Sequence, residues 1–432
     1  MDPAPIAGGD ITVGTIWLLI ATALVIFMTP GLAFFYGGLV KAKSVVSMAM
    51  LSFGAMGIVS VLWVLYGFNI GFIAGDKTDI IPGVLAHPTN NGIGLSKVFE
   101  DPTYTAFVAF GASFAIITVA LISGAIADRA KFFPWLLFAG IWATICYFPV
   151  QGWVWAWALK DKATEGGYVE ADHATGWIGA MGAHDWAGGT AVHINAGAAA
   201  LALALVLGKR HGFSKELQKP HNVPLVLIGT GILWFGWFGF NTGASYGFTA
   251  FDASAAGLIF VNTLVAPAAA MLSWIVVEKL KEGKATAVGA ASGVVSGLVA
   301  ITPACYFVTP LFAILLGLLA GAICALAIEF KYKLGFDDSL DVVGIHLVGG
   351  IIGCWYLGFF DRFTGMFTGS DAKGFGQLQD QLVSSMAVLA FSFTVAFIVG
   401  TLIEKTIGFR VKEEDEIAGL DSVLHEEGYA YE

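Results

Sequence analysis

This sequence is poor in charge. Acidic and basic side chains together make up 12% of its 432 residues, against 57% that are hydrophobic. So little polarity excludes an ordinary soluble globular domain. Cysteine is scarce too. The four present, Cys146, Cys305, Cys324 and Cys354, fall inside apolar stretches with no paired spacing, which argues against a disulfide framework and a cysteine-based zinc site. No basic segment precedes the first apolar run, since the chain opens MDPAPIAGGDITVG. A cleaved signal peptide is therefore not expected, and the first helix should insert as itself. Nucleophile elbows, phosphate loops and metal-ligand clusters are also missing. An enzyme is the least favoured class, no cofactor or metal is implied, and nothing supports nucleic-acid binding.

What the chain has instead is apolar length. Hydrophobic windows recur at about 11–36, 45–73, 105–127, 132–158, 186–208, 223–244, 256–278, 286–306, 309–330, 342–360 and 380–404, each near the roughly 20 residues needed to cross hydrocarbon. The expectation is an all-α integral membrane protein with eleven transmembrane helices. Placing the N-terminus outside puts 16 lysines and arginines on inner loops (Lys41, Lys43, Arg129, Lys131, Lys209, Arg210, Lys215, Lys219, Lys279, Lys281, Lys284, Lys331, Lys333, Lys405, Arg410 and Lys412). It leaves 6 outside (Lys77, Lys97, Lys160, Lys162, Arg362 and Lys373), which accounts for all 22. That asymmetry follows the positive-inside rule, and an odd number of spans then leaves the C-terminus inside. The net charge of -10 gathers near the end, at Glu413, Glu414, Asp415 and Glu416, and says little about the interior.

Within these spans lies an internal repeat. Asp185-Trp-Ala-Gly-Gly-Thr-Ala-Val-His193 in the fifth window and Asp338-Ser-Leu-Asp-Val-Val-Gly-Ile-His346 leading into the tenth both place an aspartate eight residues before a histidine. The two helices run in opposite senses, so the halves are inverted, an arrangement that puts a binding site at the midplane. Eight helical residues advance about 12 Å, close to half of a hydrocarbon core roughly 30 Å thick. Both imidazoles thus arrive near the middle from opposite faces. Gly189 and Gly197 flank His193 at four residues, and Gly349, Gly350 and Gly353 follow His346, letting the helices come close. Ordinary small-residue packing with satisfied histidines is the plainer alternative, but ionisable groups at such depth usually mark a substrate or proton pathway. Asp185 and Asp341 have a further role open to them as helix N-caps.

The stretches MTPGLAFFYGGLVKAKS, DWAGGTAVHINAGAAAL, KPHNVPLVLIGTGILWFGWFGFNTG and DDSLDVVGIHLVGGIIG resemble, in order and spacing, the signatures of the ammonium transporter family, the Amt/Rh/methylammonium permease group, in its bacterial form. The tail GFRVKEEDEIAGLDSVLHEEGYAY is similar too. The resemblance implies an inverted five-helix repeat plus an eleventh helix. It makes His193 and His346 a twin-histidine pair lining a pore, and Phe114 and Phe240 stacked rings closing its outer entrance. It makes Trp155 the vestibule wall where ammonium first binds, an indole face attracting a small cation by roughly 0.5 to 2 kcal/mol, with Asp185 supporting that site. Phe110, Trp237 and Asp341 are secondary candidates beside them.

The implied function is an ammonium transporter or channel. Ammonium loses its proton near the rings, ammonia crosses, and the paired imidazoles hydrogen-bond it, with relay of a proton open. A sensor with little flux is the alternative. The family resemblance also implies homotrimers in the cell's inner membrane, methylammonium as a second substrate, and a PII-type signal protein as an inner partner. It divides the chain into a transmembrane domain (1–404) and a cytoplasmic regulatory tail (405–432), for which a solvated acidic end is the plainer reading. The sequence departs from the pattern at Ala244, where a serine that helps bind ammonium is usual. Ser245 either turns toward the site, or recruitment leans on Trp155, Phe114 and backbone carbonyls. Gly111 stands where glutamine is common, and Glu426 alters the usual tail motif. The loop at about 159–185, charged at Lys160, Asp161, Lys162, Glu165, Glu170 and Asp172, is expected as a solvated connection, with a cover over the outer face as the alternative.

Overall fold

The computed structural model describes residues 13–97, 99, 102–160, 170–213, 219–245 and 253–428. Asp161, Lys162, Glu165 and Lys215, used above in the loop and charge readings, lie outside the described residues. Ten helices among the described residues are long and apolar enough to cross a bilayer. They are α1 (Val13–Leu39), α2 (Ala42–Gly71), α3 (Tyr104–Ile126), α4 (Phe132–Trp155), α5 (Gly189–Leu207), α6 (Val223–Gly243), α7 (Ala255–Glu282), α9 (Pro310–Leu334), α10 (Val343–Phe360) and α11 (Gly376–Thr406). Between α7 and α9 stands α8 (Ala287–Ile301), whose 15 residues reach about 22 Å, short of the roughly 30 Å of hydrocarbon. The window at 286–306 is thus a shorter helix followed by turns. Pro303 offers no N–H to continue the helical ladder, and the chain winds on through Ala304 N to Ile301 O (2.9 Å) and Val308 N to Ala304 O (3.1 Å).

Glycine sets how these helices meet. Along α6, a Cβ on Gly229 would lie 2.3 Å from Phe35 N, and one on Gly236 2.2 Å from Met28 Cγ. The backbones of α1 and α6 are therefore in contact, which only a missing side chain allows. Helix α7 packs on α8 and α9, and α5 lies against α11. Large apolar side chains such as Leu19, Ile20, Phe27, Phe235, Leu318 and Leu319 face outward, a surface suited to acyl chains rather than water.

Two features were not anticipated, a strand pair and a pair of short helices. Where a solvated loop was expected, β1 (Trp157–Lys160) pairs antiparallel with β2 (Glu170–Ala174). Beyond α11, the chain forms two short helices, α12 (Glu413–Ala418) and α13 (Leu420–His425). Gly408, at φ +74°, lets its N–H turn back to Ile403 O (3.1 Å), ending α11 as left-handed glycines do.

Candidate functional site

The site is built from two helix starts. At the first, the Asp185 carboxylate accepts four backbone N–H groups: Gly188 (2.8 Å) and Gly189 (2.6 Å) on one oxygen, Thr190 (2.8 Å) and Ala191 (3.0 Å) on the other. Burial pushes this carboxyl up, and the four N–H donors work against that rise. Gly188, at φ +122°, lets the chain turn sharply into α5. Its carbonyl then receives His193 N at 2.9 Å as well as Val192 N, so His193 sits in a wide π-type turn, Gly189–Ile194. Such turns present a side chain at an angle a regular helix does not.

The second start is similar, with one correction. Asp338, not Asp341, caps α10, accepting Val342 N (3.1 Å) and Val343 N (2.7 Å). Asp341 instead takes the ammonium of Lys331 at 2.6 Å and has a left-handed backbone, φ +63°. His346 again lies in a π-type turn, Val343–Leu347.

The two histidines meet across the helix crossing. Nδ1 of His346 is 3.2 Å from Nδ1 of His193, and the rings lie 5.3 Å apart at 26°. A Cβ on Gly350 would be 3.0 Å from Gly189 O and 3.2 Å from His193 Cβ. One on Gly197 would be 2.6 Å from Leu347, so the glycines around both histidines set their separation. A contact between two Nδ1 atoms needs one proton between them. The ring that donates has a bare Nε2, and the ring that accepts carries its hydrogen on Nε2. The pair therefore offers an acceptor at one end and a donor at the other. His193 Nε2 is buried without a partner.

Around the pair lies a narrow apolar cavity lined by Met28, Leu32, Ile117, Leu121, Val192 and Val295 as well as Phe240 and Trp237. Its free volume, about 10 Å³, suits about one small molecule. Trp237 stacks on His193 at 5.4 Å and 20°, its Nε1 held by Thr302 Oγ1 at 2.8 Å. Phe240 stacks on Phe114 at 4.1 Å and 18°. Phe110 meets Phe114 at 4.8 Å, and Trp155 meets it edge-on at 5.7 Å and 89°. The Trp155 Nε1 donates to Asp185 O at 2.8 Å.

One column thus contains Trp155, Phe110, Phe114, Phe240, Trp237, His193 and His346. Asp341 stands apart from it, with Lys331. Ser245 is buried and its hydroxyl donates to Thr242 O at 2.5 Å, so its proton is spent on its own helix end; Ala244 is half-buried against the core. At Gly111 the indole of Trp63 fills the space, 2.7 Å from where a Cβ would stand. Sequence reasoning missed Thr302, a threonine with no motif of its own, and Gly243, on whose absent side chain the Phe110 ring rests. Among the described residues no cluster of three or more His, Cys, Asp or Glu groups could hold a metal ion.

Comparison with known proteins gives this geometry a family. The Ammonium Transporter Family model matches residues 16–431. An ammonium transporter of Mycobacterium tuberculosis (strain ATCC 25618 / H37Rv) is 48% identical over 465 residues, covering 100% of this chain and 93% of the relative. One of Bacillus subtilis (strain 168) is 40% identical, covering 96% and 97%. Among solved structures, Candida albicans Mep2 superposes with a TM-score of 0.80 at 29% identity, over 95% of this chain and 88% of that one. A sensor Amt protein superposes at 0.84 with 26% identity, over 96% and 98%. This chain belongs to the ammonium transporter family, a family of membrane transporters.

Proposed function

We propose that the chain recruits ammonium at Trp155, lets it give its proton to external water in front of the stacked Phe114 and Phe240 rings, and conducts ammonia past His193 and His346. The observation that carries this is the 3.2 Å Nδ1–Nδ1 contact inside an apolar cavity of about one small molecule's volume. A bare cation entering such a cavity loses its hydration with no charged partner to replace it. A neutral ammonia molecule bears a far smaller penalty and finds in the imidazole pair both a donor and an acceptor. Potassium, having no proton to leave behind, is refused. A proton taken up at the bare Nε2 of one ring, passage of the shared proton across the Nδ1–Nδ1 contact, and release of the hydrogen on the other ring's Nε2 together exchange the donor and acceptor ends, which gives a route for a relayed proton.

The finer topology belongs to the same reading. Eleven spans, the shorter α8 with its following turns counted as one of them, form an inverted five-helix repeat plus one, N-terminus outside and C-terminus inside, with Trp155 and Asp185 at the outer face of a cell's inner membrane. Residues 1–404 form the transporting unit, here as a homotrimer, and 405–432 a cytoplasmic tail open to a PII-type partner. The relatives at 40–48% identity are named ammonium transporters, and the sensor stands at 26%; transport is thus favoured over sensing with little flux.

The test is proteoliposome electrophysiology with an intraliposomal pH probe, which separates ammonia from ammonia plus a proton. His193→Ala and His346→Ala should abolish specific ammonium-driven transport. Undiminished methylammonium uptake by a normally inserted variant would refute the reading.

A further inference from the structure

Just before Asp185, a set of side chains outside the pore holds the backbone with unusual completeness. Gln381 of α11 grips both backbone groups of His184: its Oε1 accepts His184 N at 3.0 Å and its Nε2 donates to His184 O at 2.7 Å. The His184 ring is held as firmly. Its Nδ1 lies 2.6 Å from Asp361 Oδ2, and its face stacks on Phe307 at 4.3 Å and 9°. Asp361 follows the end of α10, is fully buried, and fixes its other oxygen with Phe363 N (2.7 Å) and Thr364 N (3.1 Å). A carboxylate at 2.6 Å accepts, so His184 Nδ1 carries the hydrogen and the tautomer is set.

The residue held in this way leads directly into Asp185, whose carbonyl is the hydrogen-bond acceptor of the Trp155 indole. Trp155 in turn stands edge-on to Phe114, which stacks on Phe240. We propose that His184, Asp361 and Gln381 form a brace that positions Trp155 for recruitment of a small monovalent cation. These are positioning residues: they touch the Trp155 acceptor's neighbour and not the substrate. The inference rests on the proposed recruitment at Trp155. Its physical basis is that an indole attracts a cation over its face within about 6 Å, and one hydrogen bond, Nε1 to Asp185 O, orients that face. A carbonyl shifted by about 1 Å breaks such a bond, and orientation errors of that size are costly in binding and transfer sites.

The experiment uses the full chain in proteoliposomes, with methylammonium uptake measured over a range of external concentrations. His184→Ala should raise the apparent KM about three- to tenfold while the maximal rate stays within about twofold, the signature of lost recruitment and not of lost conduction. His184→Asn keeps an N–H where Nδ1 stood and should return KM toward the parent value; His184→Gln, whose donor lies one bond further out, should not. Where His184→Ala fails to insert, the Asn and Gln pair decides alone. Trp155→Phe keeps a ring and removes the oriented indole N–H. In that background His184→Ala should add no further rise in KM, since both act through the same bond. Rises that multiply, an unchanged KM in inserted His184→Ala, or equal behaviour of Asn and Gln would overturn the brace. An unchanged KM in Trp155→Phe itself would overturn recruitment at Trp155 and the brace with it, whereas a raised KM there beside a normal His184→Ala sinks the brace alone.

Discussion

At the scale of single residues, Asp185 carries much of the site without touching either histidine ring. Its two oxygens accept four buried N–H groups, and each buried donor left without an acceptor costs about 1–3 kcal/mol. Asp185→Asn keeps one accepting oxygen and turns an NH2 group toward two of the donors; Asp185→Ala orphans all four. The thermal midpoint of the detergent-solubilised protein should therefore fall in the order parent, Asn, Ala, with a loss of about 3 kcal/mol or more for Ala. An Ala variant as stable as the parent would show that water replaces the carboxylate. Gly350 makes a different prediction. A methyl group there meets Gly189 O at 3.0 Å and His193 Cβ at 3.2 Å, so it presses on the histidine pair itself. Gly350→Val, with its branched side chain, should abolish transport even in protein that still inserts; a Val variant transporting at the parent rate would mean the helices part without moving the rings.

At the scale of elements, the start of α10 shows what the sequence could and could not reveal. The spacing of Asp185 to His193 and Asp338 to His346 is plain in the letters, because eight residues of helix have a fixed length. Which of the nearby aspartates caps α10 is not, because partners distant in sequence settle it. Arg210 clasps Asp337 through Nε (2.9 Å) and Nη2 (2.9 Å), and Lys331 takes Asp341, which leaves Asp338 for the helix. The π-type turns that aim both imidazoles are equally invisible to a hydrophobic pattern of period 3.6, as is the hairpin after α4. The cap has a pH signature. Burial, opposed by Lys331, leaves the Asp338 carboxyl pushed up to about 6, so the folded protein binds this proton more tightly than the unfolded chain does. The stability it contributes is fully present at low pH and is lost as pH rises through about 6. Between pH 7 and pH 5 the melting temperature of the parent should rise more than that of Asp338→Asn; equal increments in the two proteins would assign the effect to another group.

At the scale of the whole molecule, the tail is woven into the helix ends around the start of α10. Phe409 is fully buried, its carbonyl accepts Lys131 N, and Val411 N donates to Arg129 O, both at 2.9 Å. Glu416 joins Arg410 Nη2 (2.8 Å) to His211 N (2.7 Å). Arg129 in turn reaches Asp337 O (2.6 Å) and Ser339 Oγ (2.5 Å), the residues either side of the α10 cap. A solvated acidic end does not bury Glu416 and Asp421 to this degree. At the far end of the tail, Asp421 accepts Val46 N (3.1 Å) and Ser47 N (2.7 Å) at the start of α2, serving as an N-cap supplied from another part of the chain. Removing an N-cap acceptor costs about 0.5–2 kcal/mol, and 1.4 kcal/mol corresponds to about a tenfold change in an opening equilibrium. In Asp421→Ala, amide exchange at Val46 and Ser47 should accelerate by about that factor. If Asp421 is the anchor of the tail, exchange at Val411 should rise along with it, because that amide donates to Arg129 O, a contact that forms only while the tail lies down. Faster exchange confined to Val46 and Ser47 would reduce Asp421 to a local cap and leave Arg410 and Glu416 as the hold.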